Sequence, residues 1–154
     1  MLPRLSNVPQ LNNVVSDYLN ELQKQHFEGD IASNYADRLS LATDNSVYQQ
    51  LPQAILFPKS VADIVRITKL ANNEKYLHLT FTPRGGGTGT NGQSINNNII
   101  VDLSRHMMSI LELNIEERWV RVQAGVVKDQ LNQFLKPHGL FFAPELSTSN
   151  RATP

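Results

Sequence analysis

The segment Arg84-Gly85-Gly86-Gly87-Thr88-Gly89-Thr90-Asn91 is the part of this sequence best equipped to hold a ligand. Five of the eight glycines fall between Gly85 and Gly92. Each ordered glycine costs backbone entropy, so such a concentration asks for a compensating use. Without Cβ atoms, successive N–H groups can turn into one concavity and surround an anion. Thr88 and Thr90 add hydroxyl donors, Arg84 a cation and Asn91 an amide. Many donors in a small volume suit a pyrophosphate. The competing use is a mobile or tight connection between two strands, although a tight hairpin turn needs far fewer glycines.

Two familiar phosphate motifs overlap this segment, and neither fits. Gly87-x-Gly89-x-x-Gly92 matches the dinucleotide fingerprint by letter, but that fingerprint needs a helix directly after the glycines. Here residues 93–98 are mostly polar and a strand pattern begins at Ile99. The P-loop spacing from Gly87 to Gly92 places Gln93 where a phosphate-binding lysine belongs. What remains is a strand, a glycine loop and a strand, binding through loop amides alone.

The elements that would position this loop follow from periodicity. Leu11, Val14, Val15, Tyr18, Leu19 and Leu22 form one stripe of a helix over residues 11–26. Residues 27–48 are polar without a clean period and read as a connection. The apolar run 54–57, closed by Pro58, reads as a strand. Ser60 opens a second helix, with Asp63 completing a capping pattern and Val61, Ile64, Val65 and Ala71 as the inward stripe. Residues 76–81 alternate as a strand that Pro83 breaks. Further strands are expected at 99–103, 108–113 and 119–123, the last with Trp119 in the core. A third helix spans 127–136, with Val127, Leu131, Phe134 and Leu135 inward, and residues 141–143 begin one more extended segment. The fold class is α+β: a small mixed sheet with packed helices.

Composition sets the limits. The chain has 154 residues, 40% apolar and 18% charged, which suits one soluble globular domain. Its 14 basic and 14 acidic side chains cancel, so no basic field collects nucleic acid. There are no cysteines, hence no disulfide, thiolate metal site or cysteine nucleophile in this stretch. The opening Met-Leu-Pro-Arg-Leu-Ser is no secretory signal, and no run approaches the ~20 apolar residues of a membrane span. The sequence reads as soluble and cytoplasmic, with attachment to the inner membrane through another segment left open.

Pro83 to Gln93 resembles the pyrophosphate loop of FAD-linked oxidases of the vanillyl-alcohol oxidase type, also called PCMH-type flavoproteins. Three more segments agree in order. Thr43-Asp-Asn-Ser-Val-Tyr48 with 51–58 resembles the entry to the first strand of that family. Ser60-Val-Ala-Asp-Ile-Val65 resembles the helix after it, and residues 144–153 resemble its second flavin-contacting loop. Within the family the chain is most similar to bacterial D-2-hydroxy acid dehydrogenases acting on D-lactate, glycolate or D-2-hydroxyglutarate. The resemblance implies FAD as cofactor, a small 2-hydroxy acid as substrate, and an electron acceptor that it leaves unspecified. It implies pyrophosphate contacts from the 84–91 segment, and places Pro144, Ser147, Thr148 and Ser149 near the ribityl chain or flavin ring. It further implies that residues 41–154 are the first part of an FAD-binding domain in a truncated chain, and residues 1–40 a helical extension. The family's Gly-Gly after the threonine aligned with Thr153 is missing: Pro154 stands there. An isolated piece of this kind is expected to hold FAD poorly.

The catalytic groups of such a family lie in its substrate-binding part, so no catalytic residue and no metal ligand is assigned. His26, His78, His106 and His138 do not stand at metal-ligand spacing. Asp44 and Tyr48 are weaker candidates that support the flavin site structurally. Two other readings of the same loop stay open: a non-catalytic anion- or nucleotide-binding module, and an interaction domain whose glycines form only a mobile connector.

Overall fold

The computed structural model describes residues 9–154. The reading of the first six residues lies outside the described residues.

Helix α1 (Asn13–Lys24) forms where the apolar stripe predicts it. Asn12 caps it, its side-chain oxygen accepting from the Val14 N–H at 2.9 Å. Val15, Tyr18, Leu19 and Leu22 are buried. A four-stranded sheet follows, in the order β1-β2-β4-β3. Its strands are β1 (Asp30–Ala32), β2 (Ala54–Phe57), β3 (Phe81–Arg84) and β4 (Ile99–Asp102). β2 and β3 each pair parallel with β4, and β1 pairs antiparallel with β2. The two inner strands are buried at every position, as a sheet covered on both faces requires. On one face, α1, α3 (Val61–Ala71) and the Tyr76–Leu79 segment pack on Leu56, Ile99 and Val101. On the other, Ile55, Phe57 and Ile100 meet Ala32 and Leu41. Burying each such aliphatic side chain contributes about 1.5–3 kcal/mol.

A second, smaller core is built by the antiparallel hairpin β5 (Ile110–Asn114) and β6 (Trp119–Val122), with α4 (Lys128–Leu135) laid over it. Val126, Leu131 and Leu135 fill it, with Leu113, Val120 and Phe142 around them.

Several sequence expectations shift. Residues 27–48 are not only a connection: they hold β1 and a short helix α2 (Tyr35–Ser40) capped by Asn34. The inward face of α3 is Asp63, Ile67 and Leu70, while Val61 and Val65 are exposed. The helix is turned so that the buried Asp63 carboxylate meets partners of its own. Its Oδ1 accepts from the Glu28 N–H and from Arg66 Nη1, and its Oδ2 from the Lys59 N–H, at 3.0–3.1 Å. Residues 74–76 form a 3-10 turn instead of a strand, and β3 begins at Phe81 with Pro83 inside it. β3 is one of the sheet's two outer strands, where a missing N–H is tolerated. Residues 141–143 form no strand, and Phe134 is exposed. Trp119 is half-buried rather than core, its indole N–H donating to Glu117 Oε2 at 2.6 Å.

Candidate functional site

Because β3 and β4 run parallel, the chain leaving Arg84 must travel back along the sheet before entering Ile99. Such crossovers are ordinarily made by a helix. Here residues 85–98 return as bends and turns without one. The loop starts at the carboxyl end of a parallel strand, where open sheets take their ligands.

The donors of this loop are unspent. Among the described residues, none of the N–H groups of Gly85, Gly86, Gly87, Thr88, Gly89 and Thr90 donates a hydrogen bond, and the Thr88 and Thr90 hydroxyls make none. Only at Asn91 does the series stop, its N–H donating to Gln93 Oε1 at 3.0 Å. Gly85 to Gly89 are half-buried and Thr90 is exposed; polar amides left without partners are costly where water is excluded, and no acid stands among them.

Segment 43–46 braces the loop from one side. Arg84 Nη2 donates to the Thr43 carbonyl at 2.9 Å and Nη1 to the Ser94 carbonyl at 3.3 Å. The Asn45 N–H donates to the Gly87 carbonyl at 3.1 Å. Asp44 accepts from the Ser46 N–H and from the Ser94 hydroxyl, both at 2.9 Å. Burial works to raise the Asp44 carboxyl, but these hydrogen bonds outweigh it and hold the carboxyl below its ordinary range. Burial lowers the Arg84 guanidinium from its ordinary value, with Asp102 and Asp44 acting against that. Arg84 thus links the bracing segment at Thr43 to the loop's return limb at Ser94. The Tyr48 ring lies against Gly92.

The second loop docks directly on the first. A Cβ at Gly86 would collide with the Arg151 carbonyl, and one at Gly85 with the Thr153 hydroxyl. The loop is in turn seated on α4, whose first-turn amides lack a side-chain cap. The Lys128 N–H donates to the Ala152 carbonyl at 2.9 Å and the Asp129 N–H to the Ser149 carbonyl at 3.2 Å. Thr148 and Ser149 are half-buried there, whereas Pro144 and Ser147 are exposed on the outer limb. A polar cleft of about 180 Å³ opens between the loops, lined by Ser40, Thr43, Asp44, Asn45, Arg84, Gly86, Gly87 and Arg151.

Residues 84–91 and the 151–153 end of the second loop are therefore brought together. Asn45, Ser94 and Arg151 were not singled out from the sequence. Asn45 and Arg151 lie inside segments that carry the resemblance and Ser94 directly follows one, but their contacts depend on the tertiary path. His26, His78 and His138 are exposed and line no part of the cleft. His106 lies elsewhere, its Nε2 2.6 Å from Asp30 Oδ2.

Comparison with known proteins gives the family and the fold. The family described as FAD binding domain matches residues 52–153. The chain is 84% identical over 153 residues to a D-2-hydroxyglutarate dehydrogenase of Haemophilus influenzae, covering 99% of this chain and 15% of that protein. It therefore spans only a small share of that relative's length. Among solved structures it resembles alkyldihydroxyacetonephosphate synthase, with a TM-score of 0.78 at 17% identity, over 98% of this chain and 30% of that one. It also resembles p-cresol methylhydroxylase with substrate bound, with a TM-score of 0.61 at 15% identity, over 84% of this chain and 25% of that one. At these identities the likeness speaks for the fold alone, and it is the fold of the PCMH-type flavoproteins. Together with the family match it means that this chain belongs to the FAD binding domain family.

Proposed function

We propose that this chain is the pyrophosphate-holding part of an FAD-dependent dehydrogenase that oxidises a 2-hydroxy acid, D-2-hydroxyglutarate in particular. The observation that carries the proposal is the run of six unspent amides from Gly85 to Thr90, held against a second loop in a family whose ligand is FAD. The name of the 84% identical relative supports D-2-hydroxyglutarate over D-lactate and glycolate.

In this reading residues 41–154 form the first part of the FAD-binding domain and residues 1–40 an extension that packs α1 on the sheet. The N–H groups of Gly85, Gly86, Gly87, Thr88, Gly89 and Thr90 receive the pyrophosphate oxygens, with the Thr88 and Thr90 hydroxyls and the Asn91 amide beside them. Arg84 holds the loop's shape through Thr43 and Ser94, and its charge adds to the field. Thr148 and Ser149, with Pro144 and Ser147 on the outer limb, flank the ribityl side. FAD held there would supply the capacity to accept a hydride equivalent from the carbon bearing the substrate hydroxyl. The groups that bind the substrate carboxylate and remove the hydroxyl proton belong to other parts of the protein, as does the contact with an electron acceptor. No helix among the described residues is long and apolar enough to cross a membrane. The absence of cysteine suits a reducing compartment, and we place the protein in the cytoplasm.

The test is the full-length protein. It should purify with flavin absorbance and reduce an artificial electron acceptor with D-2-hydroxyglutarate faster than with D-lactate or glycolate. A colourless protein that takes up no FAD would overturn the cofactor reading. A flavoprotein that prefers D-lactate would overturn the substrate alone.

A further inference from the structure

We propose that Asn91 is a site of spontaneous deamidation, a chemical clock set inside the glycine loop. Three features converge there. Asn91 is exposed, and its carboxamide makes no hydrogen bond among the described residues. The next residue is Gly92, which places no side chain in the way of ring closure. The Gly92 N–H donates to no described residue, so the attacking nitrogen is unoccupied.

Other asparagines lack this combination. The amide that follows Asn45 is held by Asp44 Oδ1 at 2.9 Å. Those that follow Asn72, Asn98 and Asn150 donate to the carbonyls of Leu70, Thr80 and Thr148 at 3.1, 3.1 and 2.9 Å. A nitrogen whose proton is engaged and whose lone pair is fixed in a turn is a poor nucleophile.

The step balances with water alone. The Gly92 amide loses its proton to base and its nitrogen attacks the Asn91 side-chain carbonyl carbon. A C–N bond forms, ammonia leaves as the old C–N bond breaks, and a five-membered imide remains. Water then opens either imide carbonyl, giving aspartate or isoaspartate. Either product adds one negative charge to a stretch, residues 85–94, that contains no acid. On the function proposed above, that charge sits beside the pyrophosphate and weakens its binding.

The test has two arms. Full-length protein stripped of flavin is aged at mildly alkaline pH, and its peptides are followed by mass spectrometry. The expected result is an amide-to-acid mass gain at Asn91 before any other asparagine, split into two isomers, and absent in Asn91→Gln. Conversion of Asn45 or Asn150 while Asn91 stays intact overturns the proposal. In the second arm, Asn91→Asp and Asn91→Gln are compared for FAD retention. The acid should lose more flavin than the glutamine, and the gap should narrow at high salt. Equal losses overturn the charge effect. Unchanged retention in both overturns the charge effect and the pyrophosphate assignment together, while the mass measurement, which involves no flavin, decides the deamidation by itself.

Discussion

The Asn45 N–H donates to the Gly87 carbonyl at 3.1 Å. The peptide unit is planar and trans, so its C=O and N–H point in opposite directions. Anchoring the Gly87 carbonyl on Asn45 therefore aims the Thr88 N–H away from the brace and leaves it free. The neighbouring tie is of another kind: the Arg84 guanidinium donates to the Thr43 carbonyl and so holds the brace beside the loop's first residue. Engaging the carbonyl orients the amide that follows it before any ligand arrives, and on the function proposed above such preorganisation lowers the cost of binding.

Asp44→Ala should loosen this brace. It strands the Ser46 N–H and the Ser94 hydroxyl, which now donate to the carboxylate. Each lost bond costs about 0.5–1.5 kcal/mol, more where the acceptor is charged. The full-length variant should release FAD more readily while its secondary structure persists. Asp44→Asn, which keeps an acceptor for Ser46, should fall between the two. Flavin fluorescence on dilution and circular dichroism measure these outcomes, and equal retention in all three proteins would refute the role given to the brace.

Gly86→Ala tests the contact between the loops. The added Cβ meets the backbone carbonyl of Arg151, which has no flexible end to swing aside. Forced overpacking of this kind costs about 1–3 kcal/mol. The two loops should separate, with a lower melting temperature and loss of bound flavin. A variant that melts and binds like the parent would show that the loops do not press together here.

Asp63→Ala should be among the most destabilising substitutions in the chain. Its carboxylate is fully buried and takes the Glu28 and Lys59 amides together with the Arg66 guanidinium. Removing one side of a buried charged pair costs about 3–5 kcal/mol. Arg66 is partly exposed, so the lower end of that range is the expected loss by denaturant titration. A change below about 1 kcal/mol would mean that water replaces the carboxylate at no cost.

The same residue shows what the sequence could and could not disclose. Ser60 with Asp63 was legible as a helix start, because capping is local, and the Ser60 hydroxyl does accept from the Asp63 N–H at 3.2 Å. The partners of its carboxylate were not legible: Glu28 lies in a stretch without periodicity. A helix that must bury Asp63 turns Val61 and Val65 outward, against the apolar stripe. Likewise β1 has three residues and α2 six, both shorter than two full periods of their kind. Pro83 argued against a strand, but an outer strand forgives it. The glycine loop was legible because its composition is extreme. Its seat on Arg151 and Thr153 needed three-dimensional packing.

Asp30 makes a pH-dependent tie between β1 and the turn after β4. The hydrogen bond with His106 does most to lower its carboxyl below the ordinary range, with burial opposing and Lys59 adding to the lowering. Arg105 stands 3.8 Å away. A carboxyl depressed in the folded state contributes stability that is present above its unfolded value and is lost as pH falls through the folded one. The loss therefore belongs to the acid limb, at and below the ordinary carboxylate range. Asp30→Asn should flatten the melting-temperature curve across that window and leave the neutral region close to parallel with the parent. Because Asp30 is open to solvent, salt should shrink the difference. Melting curves taken at low and high ionic strength decide it. An unchanged acid limb would mean that the Asp30–His106 contact contributes no net stability, whatever its length.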